Sequence, residues 1–509
     1  MRMKFNKTSQ LLLVSAASLL VAGLMTACGT ATLDFVYVSS SLAAGSNSYG
    51  EIDVFEINAV SGFMRQIPAS PFPSGGRDPV AMAVASDYSN LYVVNQLDNN
   101  IVQFEIGPDG KLYPLNTVNT PGIYPLAVAV NGSNLFVVDT FQPLASCSLA
   151  DPCSGSVAVF PIEAASGTGS AATPAGALGS PVTNTSNSAT YWPLKNPSSP
   201  TDVMVPTAIS SFGKNVAVPI TAGTVTGGVA TFTASQSAVA GSFYTLSGFS
   251  GAGSALNGQV VTVLSTGLSS TQFEANVTGI SSGTTGAGSA GWGEYVFVTA
   301  YDSTAVAANN SVSVNICNLN ASAYAGAVGY VYGFSVGSSG ALTAIPGSPF
   351  AAGSLPCGIA SDSSGGHVYV TDYIKGQVLG YSVSSGVLTS LGSFPAGNQP
   401  KAIAVDPAYS FAYVANSLDG TVSGYSIGSS GALGSVGTPY PAGQQPVAIG
   451  IDPSAGHFVF TANFLGSNVS DFEMSTTAGT LVNAQHSPYT SNAQPTAVVA
   501  IPNPGGPKK

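Results

Sequence analysis

The sequence predicts an all-β fold, a seven-bladed β-propeller, and three observations carry that prediction. The chain is rich in Gly and Pro, with 60 and 33 among its 509 residues, and only 7% of its residues are charged. Helical bundles and coiled coils need many charged helix formers, so this composition excludes them. A four-strand pattern recurs at intervals of about 45 residues. The two ends of the chain hold complementary parts of one repeat, which predicts a closed ring.

The repeat is clearest between residues 400 and 446. Four short runs of strand-forming residues occur there, separated by Asp406-Pro407, Asp419-Gly420 and Ser430-Gly431. Gly, Asp and Pro at the junctions favour tight turns between antiparallel strands. Four strands in each of seven repeats are typical of a seven-bladed propeller. The second run recurs seven times, at 35–38, 91–94, 135–138, 295–298, 368–370, 411–414 and 458–461.

The ends of the chain predict how the ring closes. The first copy of the second run, at Phe35, lacks the Ala-Ile-Ala-Val type of run that precedes other copies. Residues 495–501 supply such a run, and no further strand pattern follows it. We therefore expect the C-terminal strand to complete the first blade, which leaves no open sheet edge between the first and last repeats.

Two long intervals interrupt the repeat spacing. Residues 222–292 predict a small β-rich, sandwich-like insert in blade four, with a glycine-rich loop as the alternative. A second excess lies around residues 303–327 and contains Cys317. The predicted organisation is a signal peptide at 1–27, a lipid-anchored linker at 28–34, propeller at 35–221, the insert at 222–292, propeller with the closing strand at 293–501, and a mobile tail at 502–509.

The first 27 residues predict export. Three basic residues come first: Arg2, Lys4 and Lys7. The apolar stretch that follows, Leu11 to Leu24, is shorter than the roughly 20 residues of a membrane span. Residues 24–28, Leu-Met-Thr-Ala-Cys, resemble the lipobox of bacterial lipoproteins, although Met25 stands where Leu is usual. The resemblance implies lipidation of Cys28 and a place in the cell envelope, at the outer membrane or cell surface, periplasmic or extracellular. A plain signal peptide cut elsewhere is the alternative.

Export also predicts disulfide bonds, because exported chains meet an oxidising environment. Four cysteines follow Cys28. Cys147 and Cys153 bracket a short loop, so we expect them to pair, and Cys317 and Cys357 then pair by elimination. The cysteines show no Cys-x-x-Cys spacing and have no neighbouring His, which disfavours a metal site.

Residues 339–350, Pro356 and residues 367–372 resemble the lactonase-type seven-bladed propellers, relatives of bacterial 6-phosphogluconolactonase that overlap the YVTN-repeat surface proteins. The resemblance covers about 35–220 and 293–501. It implies a propeller, and it implies a lactone hydrolase in which Arg, His and acidic side chains near the channel mouth hold an anionic, often phosphorylated, sugar lactone. The same repeat serves many roles, so the fold alone does not fix the activity.

The second run of most repeats ends on a polar residue, which predicts a ring around the channel mouth. Five positions are Asn or Asp, and Ser40 and Ala300 fill the other two. Such a ring would bind a small polar ligand, water or a cation, and Ca²⁺, the one cofactor considered, prefers carboxylate oxygens such as those of Asp139 and Asp372. The alternative is strand-end capping by Asx turns. The five are Asn95, Asp139, Asp372, Asn416 and Asn463.

Few cations are available for an anionic ligand. Arg77 and Lys401 are the two that we expect near the channel mouth. The net charge of −11 and the absence of Lys/Arg clusters exclude nucleic acid and disfavour a phosphorylated substrate. The three His residues fall in turns of the repeat and predict no general base.

Two functions remain from the sequence, beside a purely structural role with no ligand. The first is a monomeric binding or interaction module, held to the membrane by its lipid anchor, with a glycan, a protein or a small molecule as ligand. The second is a lactonase-like hydrolase acting on a sugar lactone or another neutral lactone. Convergent Arg, His and Glu side chains in the channel would favour the hydrolase, whereas a channel lined by Asn, Ser and Val would favour binding.

Overall fold

The computed structural model describes residues 32–503 apart from short stretches. The leader and Cys28 lie outside the described residues, as does the tail beyond Asn503. No helical segment of the described chain is long and apolar enough to cross a membrane. The internal stretches outside the description are 42–48, 59–60, 149–151, 167–172, 185, 197–198, 214–216, 237–242, 305–316, 318–323, 325, 338, 363–364, 385, 454–457 and 493.

Seven of the sheets that the structure describes are blades of a propeller, so the predicted fold class is confirmed. Each blade has an inner strand followed outward by three more strands, all antiparallel. Blade one contains β39 (Pro495–Pro502), β1 (Thr32–Ser40), β2 (Glu51–Asn58) and β3 (Met64–Gln66), with β4 (Phe72–Pro73) beside β2. Blade two contains β5 (Pro79–Val84), β6 (Asn90–Asn95), β7 (Asn100–Ile106) and β8 (Leu112–Asn119). Blade three contains β9 (Ile123–Asn131), β10 (Asn134–Phe141), β11 (Ser156–Pro161) and β12 (Trp192–Pro193).

The remaining blades follow the same plan. Blade four contains β13 (Met204–Phe212), β22 (Glu294–Asp302), β23 (Val328–Val336) and β24 (Leu342–Ala344), with β25 (Phe350–Ala351) beside β23. Blade five contains β26 (Pro356–Ser361), β27 (His367–Asp372), β28 (Gln377–Ser384) and β29 (Val387–Pro395). Blade six contains β30 (Pro400–Val405), β31 (Phe411–Asn416), β32 (Thr421–Ile427) and β33 (Leu433–Pro441). Blade seven contains β34 (Pro446–Ile451), β35 (Phe458–Asn463), β36 (Asn468–Met474) and β37 (Leu481–Asn483), with β38 (Tyr489–Thr490) beside β36.

The insert consists of two four-stranded sheets with a core of their own. Phe273 lies between Phe232 and Tyr244, with ring centroids 5.0 and 4.8 Å apart. The first strand of the insert begins at Ala217, five residues before the predicted boundary at 222. This strand pairs with the last strand of the insert. The sheets are formed by β14 (Ala217–Ile220), β21 (Gly288–Trp292), β17 (Phe243–Ser247) and β18 (Val260–Thr262), and by β19 (Gln272–Asn276), β16 (Val229–Thr233), β15 (Ala222–Thr226) and β20 (Gly283–Thr284).

The inner strands form a ring. They contact one another in the order β39, β5, β9, β13, β26, β30, β34 and back to β39. Blade one combines both ends of the chain, because β39 pairs with β1 from Asp34 opposite Pro502 to Ser40 opposite Pro495. We call the end at which the inner strands begin the upper end. The described chain therefore enters blade one at the lower end, and the insert joins the lower ends of β13 and β22.

At the lower end each blade rests on the blade before it through a glycine. The turn after each third strand carries a Gly with φ between 64° and 81°, a backbone region that L side chains rarely adopt. A Cβ on any of these glycines would meet the second strand of the preceding blade. Four tyrosines of second strands also donate hydrogen bonds to such glycine carbonyls: Tyr37, Tyr92, Tyr369 and Tyr413. We call these contacts the glycine latches, and their members are Gly62, Gly110, Gly176, Gly340, Gly386, Gly431 and Gly479.

Candidate functional site

The upper end carries the predicted ring of closing residues. In every blade the closing residue of the second strand lies opposite the proline near the start of the inner strand, just before a register shift. Ser40 and Ala300 occupy this position in blades one and four, opposite Pro495 and Pro206, as the repeat predicts. The other pairs are Asn95 with Pro79, Asp139 with Pro125, Asp372 with Pro356, Asn416 with Pro400 and Asn463 with Pro446.

These closing residues do not line an open channel mouth. All seven are fully buried. The Asn416 side chain accepts a hydrogen bond from the Gly397 backbone at 3.1 Å and donates to Thr421 and Ser423 of its own blade. Asn463 donates in the same way to the next strand of its blade, at 2.7 and 2.9 Å. Burial and this bonding favour the alternative interpretation, in which the residues anchor upper loops; ligand binding by Asn95, Asp139, Asp372, Asn416 and Asn463 stays a prediction.

The two ring carboxylates are held by backbone donors, which do not suit a cation. Asp372 accepts hydrogen bonds from the amides of Ser354 and Leu355. Asp139 accepts one from Gly122 on Oδ2, its Oδ1 is buried without a hydrogen-bond partner, and burial raises its pKa to about 7. No group of three or more His, Cys, Asp or Glu that could hold a metal occurs within the described ranges. The Ca²⁺ hypothesis therefore finds no ligand set there.

Arg77 lies at the upper end of blade two and is already engaged. Its Nε donates to Asp98 at 2.7 Å, and its backbone amide donates to the same carboxylate. This side-chain hydrogen bond with Asp98 raises the pKa of Arg77. The equivalent pair in blade six is Asn398 and Asp419, joined by a backbone and a side-chain hydrogen bond. Arg77 is therefore part of a repeated loop contact, although its side chain stays 39% exposed.

Lys401 follows Pro400 at the upper start of β30, where the register shift occurs. Part of the residue reaches solvent, but protein encloses its ammonium group, and this burial lowers its pKa to about 7. In blades one and four the same position holds Thr496 and Thr207, whose hydroxyls reach the carbonyl of the next blade's first proline.

His367 lies at the opposite end of the molecule from Lys401 and Arg77. Its Nδ1 is 2.6 Å from Asp362 Oδ2, and a Cβ on Gly431 would touch its ring. It therefore belongs to a glycine latch rather than to a catalytic group. His457 lies outside the described residues.

Blades three to five are covered at the upper end by a cluster that we call the upper cap. Both predicted disulfides are confirmed, Cys147 with Cys153 and Cys317 with Cys357. All four cysteines belong to the cluster, together with buried aromatic residues that include Tyr301, Tyr324 and Tyr373. The disulfide Cys317–Cys357 links the long connection between β22 and β23 to the start of β26. The described residues Cys317, Tyr324 and Ala327 of this connection thus contribute apolar side chains to the upper cap.

Blades six and seven are open at the same end. A groove of about 760 Å³ lies between them, at the junction of their upper loops. The exposed side chains Leu418 and Leu465, 65% and 63% accessible, stand on its two sides. Asp419 is the one ionisable residue among the described residues that line it. The carboxamides that line it are Gln399, Gln444, Gln445 and Asn468.

Sequence reasoning missed this groove. Leu418 and Leu465 each stand two residues after a closing Asn, as does Leu97 in blade two, so a signal was present. An apolar residue in a loop is not informative alone, because folded proteins expose many apolar atoms. Only the blade-by-blade register gives these leucines a common place.

The fold has counterparts among solved structures. The periplasmic gluconolactonase PpgL of Pseudomonas aeruginosa is 16% identical with a TM-score of 0.53, over 93% of this chain and 100% of that one. A candidate 6-phosphogluconolactonase from Bacteroides fragilis is 16% identical with a TM-score of 0.51, over 93% and 99%. Another candidate, from Bacteroides uniformis, is 15% identical with a TM-score of 0.53, over 92% and 99%. At such identities the likeness shows the fold alone.

These observations define the class of protein as a seven-bladed β-propeller. The family model described as "Lactonase, 7-bladed beta-propeller" matches residues 367–498, from the second strand of blade five to the closing strand. The match covers 132 of 509 residues. No curated protein matches the sequence. The chain is thus similar to lactonase-type propellers in its fold and, over three blades, in its sequence.

Proposed function

We propose that this chain is an exported binding module, anchored to the membrane through Cys28, whose ligand site is the groove between blades six and seven. The chemistry of the groove carries the proposal. Carboxamides and two exposed leucines line it, and no His or Arg is among its described lining residues. Asp419, its one carboxylate, already accepts hydrogen bonds from Asn398. Such a surface can recognise a ligand but offers little for acid–base catalysis.

The disulfides support export. Two are formed within one cluster, and disulfides persist in oxidising compartments outside the cytosol.

The topology supports a surface that points away from the membrane. The described chain begins at Thr32, at the lower end of blade one, four residues after Cys28. Four residues extend at most about 14 Å, so an anchor at Cys28 would hold the lower end near the bilayer. The groove lies at the upper end, on the opposite side of the blades, where an envelope partner could reach it.

A lactone screen tests the choice between binding and hydrolysis. Protein beginning at Thr30 is mixed with glucono-δ-lactone and 6-phosphogluconolactone, and acid release is followed by pH-stat. We expect no turnover above the spontaneous rate, with folding checked by circular dichroism. Turnover that survives purification would overturn the binding proposal.

Lys401 favours hydrolysis as the second candidate function. Burial lowers the pKa of its amine to about 7, which suits a base near neutral pH, but the enclosed amine would first have to become accessible to a substrate. If the chain hydrolyses lactones, Lys401→Met should abolish turnover. Lys375→Met should not, although Lys375 also lies at the upper end, in blade five.

Anchoring has a separate test. In a bacterial host the full chain should incorporate labelled palmitate and sediment with membranes. Cys28→Ala should lose the label and move to the soluble fraction. An unchanged distribution of the variant would contradict the lipid anchor.

A further inference from the structure

One position of the repeat is apolar in most blades, but its side chain is buried in some blades and exposed in others. We call it the rim position, and it is the second residue after the closing residue. It is Asp302 in blade four, and in blade one it falls outside the described residues. In the other five blades it is apolar: Leu97, Phe141, Ile374, Leu418 and Leu465.

In blades three and five the chain covers its own rim position. Phe141 is fully buried, and its ring packs against Tyr124 with centroids 6.2 Å apart. Ile374 packs against the same upper cap. Cys317 and Tyr324, from the long connection between β22 and β23, belong to this cap. Polypeptide with apolar side chains is therefore what covers the rim position where it is covered.

In blades six and seven no described residue gives the rim position such cover. Leu418 and Leu465 are among the most exposed large apolar side chains of the described chain, and Leu97 of blade two is 44% exposed. The groove lies between the first two. Asn468 already bonds to Asn463 and Gly466, and Gln399 accepts a hydrogen bond from Tyr373. The side chains of Gln444 and Gln445 can donate and accept hydrogen bonds as a peptide backbone does.

The lining also selects among ligands. No aromatic side chain is among the described lining residues of the groove, so a sugar ring finds no face on which to stack. The one charged lining residue is Asp419, whose carboxylate accepts hydrogen bonds from the neutral Asn398, so an anionic ligand finds no cation in the described lining. Aliphatic side chains and carboxamides instead match an uncharged polypeptide.

We propose that an uncharged polypeptide segment of a partner protein, bearing at least two apolar side chains, docks in the groove and covers Leu418 and Leu465. It would act in trans as the upper cap acts in cis on blades three and five. This inference rests on the proposed function and names the class of its ligand.

The test is a selection followed by affinity measurement. The purified mature protein is panned against a phage library of random 12-residue peptides, and enriched peptides are synthesised and titrated by calorimetry. We expect uncharged peptides with two or more apolar residues. Leu418→Asp and Leu465→Asp should each raise their Kd at least tenfold, because a carboxylate would be buried against apolar groups.

Val482→Asp is the matched control. Val482 is 66% exposed, against 65% for Leu418, but it lies on the outer strand β37, away from the groove. This variant should bind the peptides as the parent does, and equal melting temperatures would show that all three variants fold.

Peptides whose affinity survives both leucine changes would overturn the inference. The same proteins are also applied to a glycan array. Glycan binding that Leu418→Asp abolishes, without any peptide enrichment, would overturn the polypeptide assignment but leave the binding function. Binding of neither class would overturn both.

Discussion

The lower and upper ends of the propeller are built from the same repeat. The contacts between blades are the same around the lower end, whereas the loops of the upper end differ from blade to blade. At the lower end every blade rests on its predecessor through a glycine latch, and the pattern is uniform around the ring. At the upper end the closing residues are equally uniform, but the loops above them are not. The upper cap covers blades three to five, whereas blades six and seven stay open. The repeat thus supplies stability at one end, and departures from it create a surface at the other.

The largest expected effect breaks a glycine latch. A Cβ on Gly431 would lie 2.1 Å from the His367 ring, and its φ is 81°. We expect Gly431→Ala to lower the free energy of unfolding by about 2–5 kcal/mol, since overpacking adds to the backbone cost. Gly132→Ala is the control, because its φ is 54° with no atom near its added Cβ. Urea denaturation measures the free energy of unfolding of both variants. Equal losses would contradict the stabilising role of the glycine latch.

A pH experiment sharpens the account of the upper end. Burial raises the pKa of Asp139 to about 7, so the folded state holds a proton that the unfolded state releases near its ordinary value of 3.8. The free energy of unfolding should therefore fall as pH rises from about 4 to about 7. Asp139→Asn should remove this loss and be more stable than the parent at pH 8, by up to about 4 kcal/mol. Asn already stands at this position in three blades.

Thermal melts between pH 4 and pH 8 test whether Asp139 causes this pH dependence of stability. Parent and Asp139→Asn curves with the same pH dependence would show that Asp139 is not the group responsible.

Loss of a closing residue should have a smaller effect. Asn416→Ala leaves the half-buried Gly397 amide without its acceptor, and removes two hydrogen bonds inside the blade. We expect a loss of about 1–3 kcal/mol in urea denaturation. Asn398→Ala, which removes an exposed side-chain hydrogen bond of the same loop, should cost less. The reverse order would contradict the anchoring role of the closing residues.

The smallest effect concerns the insert. Gly213 and Gly293, which flank it, approach so closely that a Cβ on Gly213 would be 2.4 Å from the Gly293 carbonyl oxygen. Replacing 214–292 by two glycines should therefore leave the melting temperature of the propeller nearly unchanged, because the insert has its own core. Calorimetry of the parent should then show a transition that the deletion lacks. A propeller that fails to fold would show that the insert stabilises it.

Much of the fold follows from the sequence because each blade is a local pattern. Short alternating strands, turn glycines and the proline before each inner strand act over a few residues and repeat. The register of Ser40 and Ala300 was predictable for the same reason. The insert was visible as a break in spacing, although its start at Ala217 was not, since strand β14 is defined by its pairing with β21 seventy residues later.

The sequence by itself determined the number of blades, the disulfide partners and the positions of the closing residues. Tertiary structure decided what those positions do. Whether Asn416 faces a channel or its own blade depends on packing between blades, and it is buried. Phe141 and Leu418 are equivalent in the repeat, but Phe141 packs in a cluster with Cys317 and Tyr324, which lie far away in the chain, whereas Leu418 is exposed. A local sequence pattern cannot predict such contacts, because the residues that cover a side chain lie far away in the chain.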